Sequence, residues 1–275
     1  MDIKKATRKP RVAPTVEPTV TQTVEPMVAP TVEPTVAQTV TPKRKGVNGK
    51  PKVAQVAQVA EMIQTEDTGK QFEMAICVAF NIPYNGPYKY GMETAEKLKP
   101  RLSKLKELFP KCIHTAKNGS RYDYTSEEKH LSAKSTKKTG KVAPQVIGQS
   151  TPKKFCELMG IEYTTDVNLK EYIQKNITSI LPVLVSYTFD CPTVYYNEKQ
   201  DSIRYITLDK KIDWEKYECK WTCEWDKWEN SSTLKIGKVS LVEFQFHTTR
   251  KNMAIRWCYE NFLTLFSENL SIVKL

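Results

Sequence analysis

The sequence predicts an α/β fold in which a central mixed sheet is flanked by helices and is preceded by a disordered arm. An apolar face of helical period over residues 70–81, formed by Phe72, Ala75, Ile76 and Ala79, predicts an early helix. Alternation of apolar and polar residues over 129–135 predicts a strand. The runs 191–196 and 202–208 predict a hairpin. We expect the helices that contain Phe72 and Met92 to cover one side of the sheet.

The N-terminal arm is defined by a repeat. The motif VAPTVEPTV occupies residues 12–20 and again 28–36, a period of 16 residues. Proline recurs too often for a helix or a central strand, and the apolar residues are valines without aromatics. We therefore expect residues 1–60 to be a disordered Thr/Val/Pro arm with basic flanks and residues 69–275 to form the folded domain. A solvated tether is the simple interpretation of the arm, and nonspecific DNA affinity from its basic flanks is the alternative.

Composition favours a polyanionic partner in a reducing compartment. The formal net charge is +11 and the sequence pI about 9.2, which indicates nucleic acid first and acidic lipid second. Seven cysteines without framework spacing predict free thiols. We therefore expect an intracellular location, in the cytoplasm, or in the nucleus or a viral factory if the host is eukaryotic. The pair Cys219 and Cys223 invites a zinc interpretation, but no second Cys/His pair lies near it. The absence of an 18-residue apolar run predicts no transmembrane helix.

Further elements follow from local signals. We expect a helix over 92–109 that is interrupted near Pro100, and a helix that begins at Pro152. A helix over 169–181 should end or kink at Pro182. The other expected elements are a strand around Asp123, two strands over 234–247 about a turn at Gly237, a helix over 251–266, and a packed Trp-rich segment over 214–230.

The chemistry is concentrated in residues 122–149. Asp123 lies between two tyrosines, and alternation in the following strand places Ser132 and Lys134 on one face. If the two strands pair, Asp123, Ser132 and Lys134 converge. A carboxylate, a hydroxyl and an amine at one strand edge are the parts of a metal-dependent phosphodiesterase, since a carboxylate holds a cation that polarises phosphate and activates water.

These residues resemble the PD-(D/E)XK nuclease superfamily, in particular type II restriction endonucleases. In that family an Asp is followed about ten residues later by Asp/Glu-x-Lys, and here Asp123 is followed by Ser132-Ala133-Lys134, with serine in place of the usual acid. The resemblance implies a restriction-endonuclease-like fold and a Mg2+-dependent endonuclease that acts on double-stranded DNA, often as a homodimer.

The resemblance also implies roles for individual residues. Asp123, the backbone carbonyl of Ala133 and Glu73 of the early helix would bind Mg2+, and Lys134 would position or activate the water. Ser132 and Gln145 would support these groups. The segment EFQFHTTR, over 243–250, resembles a late strand near DNA in such enzymes. The candidate DNA contacts are Lys137, Lys138, Lys141, Gln149, His247 and Arg250.

Three alternatives stay open. A DNA-binding protein on the same fold that has lost catalysis is one, because Ser132 removes an acid. A structural or interaction protein that uses its repeat arm is the second. The third concerns the place of the site: Asp201, followed by Asp209-Lys210-Lys211 across the strand 202–208, also has an acid-x-Lys spacing.

Overall fold

The computed structural model describes residues 65–86, 92–116, 120–137, 140–164, 167–247 and 249–275. The predicted N-terminal arm of residues 1–60 lies outside this range. Within it, no helix is both long and apolar enough to cross a membrane. The helices of the described residues are α1 (Thr65–Phe80), α2 (Glu93–Leu98), α3 (Leu105–Leu108), α4 (Pro152–Met159), α5 (Leu169–Lys175), α6 (Ile177–Thr188) and α7 (Tyr259–Leu265).

The strands fall into two sheets. They are β1 (Ile113–His114), β2 (Tyr124–Ser126), β3 (Lys129–Thr136), β4 (Lys141–Val142), β5 (Gln149–Ser150), β6 (Thr193–Asn197), β7 (Ser202–Leu208), β8 (Cys219–Trp221), β9 (Ser231–Ile236), β10 (Val239–His247), β11 (Asn252–Cys258) and β12 (Leu270–Lys274). The first sheet has the order β1-β2-β3-β6-β7-β12, and the second has the order β4-β11-β10-β9-β8, with β5 paired to β11.

The first sheet is the predicted mixed sheet. Strands β3 and β6 are parallel, whereas the other neighbours are antiparallel. A parallel pair needs a crossover connection, and residues 137–192, which include α4, α5 and α6, provide it. The apolar face of α1 packs with Leu131, Val194 and Tyr196 on one face of this sheet, while Tyr195 and Ile206 contribute to a second core on the other face. The α/β fold class is confirmed.

Several local predictions are also confirmed. The early helix is α1, and the helix after Met92 is interrupted by a 3-10 turn over Lys99–Leu102 that contains Pro100. Thr151 caps α4 through its side chain, which accepts from the Lys154 N–H at 3.2 Å, with Pro152 in the first turn. Trp214 and Trp228 of the Trp-rich segment are buried.

The prediction that the helix ends at Pro182 is wrong. Helix α6 continues through Pro182 to Thr188, and the break falls earlier, at Asn176 between α5 and α6. Proline has no N–H, so the carbonyl of Thr178, four residues earlier, has no helical hydrogen-bond donor. Both residues are exposed, so water can donate to that carbonyl. The opposite face, which includes Leu181 and Leu184, is buried and holds the helix together.

The predicted helix over 251–266 is wrong in its first half. Residues 252–258 form β11, which pairs with β10 from Val242↔Trp257 to His247↔Asn252. Met253, Ile255 and Trp257 are buried at a spacing of two, as a strand requires. Only Tyr259–Leu265 is helical.

Candidate active site

The β2–β3 hairpin brings the predicted catalytic residues together. Its strands are antiparallel with Tyr124 opposite Leu131, so Asp123, directly before β2, lies beside Ser132 and Ala133. Asp123 Oδ2 accepts a hydrogen bond from the Ala133 N–H at 2.7 Å and from Ser132 Oγ at 3.1 Å. Lys134 Nζ lies 3.9 Å from the same oxygen. The convergence that the alternation predicts is therefore present in the structure.

Gln145 connects the Lys134 and Ser132 side chains of this cluster. Its Oε1 accepts from Lys134 Nζ at 3.3 Å, and its Nε2 donates to Ser132 Oγ. Its backbone N–H donates to the Tyr187 carbonyl at 3.1 Å, which fixes the segment on the end of α6. Ser132 is fully buried and Gln145 nearly so. The Ser132 hydroxyl uses its one proton toward Asp123 and a lone pair toward Gln145, so its hydrogen bonding is consistent.

The cluster opens to solvent on one side. Lys134 and Gln145 line a cleft of about 270 Å³, which also includes Gln149 and part of Lys141. The side chains of Asp123 and Lys134 keep 20% and 25% of their surface exposed. The Lys134 ammonium therefore lies at a cleft that a phosphodiester can reach, and the partly exposed Asp123 carboxylate lies 3.9 Å from it.

The arrangement partly fits a bound Mg2+. In an extended strand the N–H and C=O of one residue point to the same side. Because the Ala133 N–H points at Asp123, its carbonyl oxygen is directed to the same edge. One carboxylate and one carbonyl suit Mg2+, which is commonly held through one or two carboxylates and keeps several waters. Among the four residues of the cluster Asp123 supplies the one carboxylate, and in the described part of the chain no three Asp, Glu, His or Cys side chains form a metal-binding group.

Glu73 has other contacts. Its carboxylate pairs with Lys70 Nζ at 2.8 Å, and His114 Nε2 lies 3.7 Å away. His114 Nδ1 accepts from the Asn85 N–H at 3.0 Å, so in the neutral ring Nε2 carries the proton and faces Glu73. Burial raises the pKa of Glu73, but hydrogen bonds and charge from His114 and Lys70 outweigh it and hold the pKa below its usual value. The role of Glu73 as a metal ligand stays a prediction.

The predicted DNA contacts differ in their surroundings. Gln149, His247 and Arg250 are exposed, the last two at the turn between β10 and β11. Lys141 Nζ and Arg256 pair with the same Glu243 oxygen, at 3.0 Å and 2.9 Å, so this group of three keeps a net positive charge. Lys137 is half-buried at the end of β3. Lys138 lies outside the described residues.

One group beside the site was missed in the sequence. Asp190, which follows α6, accepts from the Tyr122 hydroxyl at 2.9 Å and pairs with Arg121 at 2.6 Å. The Tyr122 ring also stacks on His130, with centroids 4.0 Å apart. These contacts fix the two residues before Asp123. A separation of 68 residues between Asp190 and Tyr122 leaves no local signal for this anchor.

The competing acid-x-Lys arrangement does not assemble. Asp201 precedes β7 and pairs with Arg101 at 2.5 Å. Asp209 follows β7 and accepts from Thr207 Oγ1 at 2.9 Å. The intervening seven-residue strand, at roughly 3.3 Å per residue, separates the two carboxylates by more than about 20 Å. They cannot share one cation.

Comparison with known proteins identifies a relative. The chain is 42% identical over 219 residues to the type II restriction enzyme CviAII of Paramecium bursaria Chlorella virus 1, and the match covers 78% of this chain and 64% of that enzyme. The chain thus spans slightly less than two thirds of the length of this relative. No family model matches, and no solved structure matches. The resemblance to type II restriction endonucleases that the sequence predicts is confirmed.

Proposed function

We propose that this chain, which is similar to a type II restriction enzyme over most of its length, is a metal-dependent endonuclease that hydrolyses phosphodiester bonds in double-stranded DNA. The observation that carries the proposal is the hydrogen-bonded cluster of Asp123, Ser132, Lys134 and Gln145 at an open cleft. We assign the cluster to the PD-(D/E)XK type because its residues stand at the spacing of that motif.

The proposed cofactor is Mg2+, bound through Asp123 and the Ala133 carbonyl. A cation bound there would polarise the scissile phosphate and lower the pKa of a water. Lys134 carries a positive charge at the cleft, where it orients the attacking water or offsets charge that develops on phosphate. Gln145 holds the Lys134 ammonium at 3.3 Å, and the Ala133 N–H holds the Asp123 carboxylate at 2.7 Å. The reacting groups are thus oriented before substrate binds.

Ser132 replaces the usual second acid. Its hydroxyl lies against Asp123 Oδ2 at 3.1 Å, in the place from which a carboxylate would share the cation. We infer weaker metal binding than with two acids, so cleavage should need a high Mg2+ concentration. Glu73 remains our candidate for an additional acid, which would require its pairing with Lys70 to open.

The proposed partner is double-stranded DNA, contacted by Lys137, Lys138, Lys141, Gln149, His247 and Arg250. The logarithm of the DNA-binding constant should fall linearly with the logarithm of the salt concentration, with a slope of roughly −0.9 for each phosphate contact. A homodimer is the proposed working form, as is common among type II enzymes. The seven free cysteines support an intracellular location.

A catalytically inactive DNA-binding protein is the second candidate. The observation in its favour is the single carboxylate in the cluster, with a serine where the family usually has an acid. On this account the cleft would bind DNA without hydrolysing it. Cleavage therefore separates the two candidates.

The test is incubation of plasmid and viral DNA of varied sequence with the purified chain and Mg2+ or Mn2+. We expect discrete fragments that disappear with a chelator and with Lys134→Ala. The exposed Lys199→Ala variant, equal in charge change, serves as the control and should cut normally. DNA that stays intact with both metals, although salt-sensitive binding is observed, would support the inactive DNA-binding protein.

A further inference from the structure

A second cleft lies beyond the catalytic one, where β10 and β11 meet the start of α4 and α5. It encloses about 460 Å³, and its walls include Lys153, Lys170, Lys251, Tyr163, Phe246 and Asn252. We propose that this cleft binds one nucleotide of the DNA substrate that is turned out of the duplex, with the base on the aromatic side chains and the phosphate among the lysines. The proposal rests on the proposed nuclease function and names a site outside the catalytic cluster.

The charge of the cleft favours a phosphate. Three lysines line it, and none of the described residues that line it carries a carboxylate. Lys170 Nζ donates to the carbonyl oxygens of Trp228 and Glu229, the latter at 3.0 Å. Both acceptors are neutral, so the ammonium group is fixed in place while its charge stays available to an anion. Lys153 and Lys251 are exposed at the rim.

The aromatic residues favour a base. Tyr163 keeps 44% of its surface exposed. Phe246 is braced by Trp228, whose ring is 5.4 Å away at 74°, and Lys170 Nζ lies 6.0 Å from its centroid. Stacking of a base on an aromatic side chain is tolerant of sequence. Asn252 also lines the cleft, and its Oδ1 is buried without a hydrogen-bond partner among the described residues, so its side chain would have to turn toward the cleft to bond to a base edge.

The position of the cleft suits a DNA strand that leaves the catalytic site. Gln149 lines the catalytic cleft and Thr151 lines the second one. Gln149 and Thr151 are two residues apart in the sequence, at the short strand β5, so their Cα atoms are at most about 7 Å apart. A DNA strand advances about 3.4 Å along the helix axis per nucleotide, so the edges of the two clefts lie within about two nucleotides of each other.

A neighbouring cleft limits where the nucleotide can lie. It is about 430 Å³ in volume and shares Tyr163, Lys170 and Phe246, but it is also lined by Asp226. A carboxylate there disfavours phosphate. The nucleotide therefore belongs on the Lys251 side of Lys170.

Photochemical crosslinking tests the proposal. The full-length Asp123→Asn variant, in which cleavage should be blocked, is mixed with duplexes that carry 5-iododeoxyuridine at successive positions around the cut site. The cut position in the same duplexes is determined separately with the wild-type chain. If the wild-type chain cuts no duplex, crosslinking is carried out with duplexes of random sequence. We expect crosslinks to Tyr163 or Phe246 from one base within a few nucleotides of the cut phosphate.

Variants separate stacking from charge. Tyr163→Ala should lose the Tyr163 crosslink and weaken binding about fivefold, equivalent to about 1 kcal/mol, whereas Tyr163→Phe keeps the ring and should bind normally. Lys251→Ala should weaken binding, and Lys199→Ala, on the β6–β7 hairpin, should not. A duplex that is bound and cut but crosslinks only outside this cleft would overturn the proposal while leaving the nuclease function intact. Crosslinks in the cleft without any cutting would support the nucleotide site and contradict the nuclease function.

Discussion

Replacement of Gln145 by leucine removes one connection of the candidate active site and keeps the side-chain volume similar. The Gln145 amide bridges Lys134 Nζ, at 3.3 Å, and Ser132 Oγ. Without it the Lys134 ammonium is no longer held over the cleft. Ser132 still donates to Asp123 at 3.1 Å, so no buried hydroxyl proton is left without an acceptor.

The expected magnitudes differ for stability and for activity. Two lost hydrogen bonds cost about 0.5–1.5 kcal/mol each, and burial of the leucine side chain offsets about 1–2 kcal/mol of that loss. The net loss is about 0.5 kcal/mol, which lowers the Tm of a domain of this size by about 1–2 °C. The cleavage rate should fall more, by about 10–100-fold, as is typical when an outer hydrogen-bond partner of a metal site is removed.

The assay is single-turnover cleavage at saturating enzyme, with DNA binding measured separately in Ca2+. We expect a lower rate constant and an unchanged Kd, because Gln145 is nearly buried and contributes no charge to DNA. Gln200→Leu, an exposed glutamine in the β6–β7 hairpin, is the matched control. A Gln145→Leu rate within about twofold of wild type would refute the positioning role of Gln145.

Three further predictions concern the residues around this glutamine. Lys134→Ala should lower the single-turnover rate by about 100-fold or more but leave Kd within about threefold, since one lysine makes only a fraction of the phosphate contacts. Ser132→Asp places two carboxylates together. In thermal melts, its Tm should be lower than that of the wild type without Mg2+, and added Mg2+ should raise its Tm more than it raises that of the wild type. A Tm of this variant that does not respond to Mg2+ would argue against a cation at Asp123. Folding lowers the pKa of Glu73 below its ordinary value of 4.5. The ionised carboxylate therefore stabilises the fold above pH 4.5, and this stabilisation is lost as the pH falls through the lower, folded-state pKa. Between about pH 6 and pH 3 the Tm of Glu73→Gln should therefore fall less than the Tm of the wild type. The Tm of the exposed control Glu107→Gln should fall as much as that of the wild type.

The parts of the structure that the sequence predicts are local. Asp123, Ser132 and Lys134 are brought together by one hairpin with a two-residue turn, so alternation alone indicates which side chains share a face. Helix α1 and the capped start of α4 likewise depend on residues a few positions apart.

The missed features depend on distant partners. Strand β11 was predicted to be helical because its sequence does not show that β10 lies beside it, and that pairing decides the conformation. Asp190 anchors Tyr122 from 68 residues away, and Pro182 is tolerated because its side of α6 is exposed. The contacts of Glu73 with His114 also join separate elements, so the family resemblance could nominate Glu73 but not show what it contacts.

The most direct test of the account compares two matched neutralisations, Asp123→Asn and Asp209→Asn. Single-turnover cleavage of a plasmid in Mg2+ is the measurement, with circular dichroism and DNA binding to verify that each variant is folded and binds. An amide is a far poorer ligand for a hard cation than a carboxylate. The account predicts that Asp123→Asn abolishes cleavage while it keeps the fold and DNA binding, and that Asp209→Asn cuts at the wild-type rate. Normal cleavage by a folded Asp123→Asn variant, or loss of cleavage in Asp209→Asn alone, would contradict it.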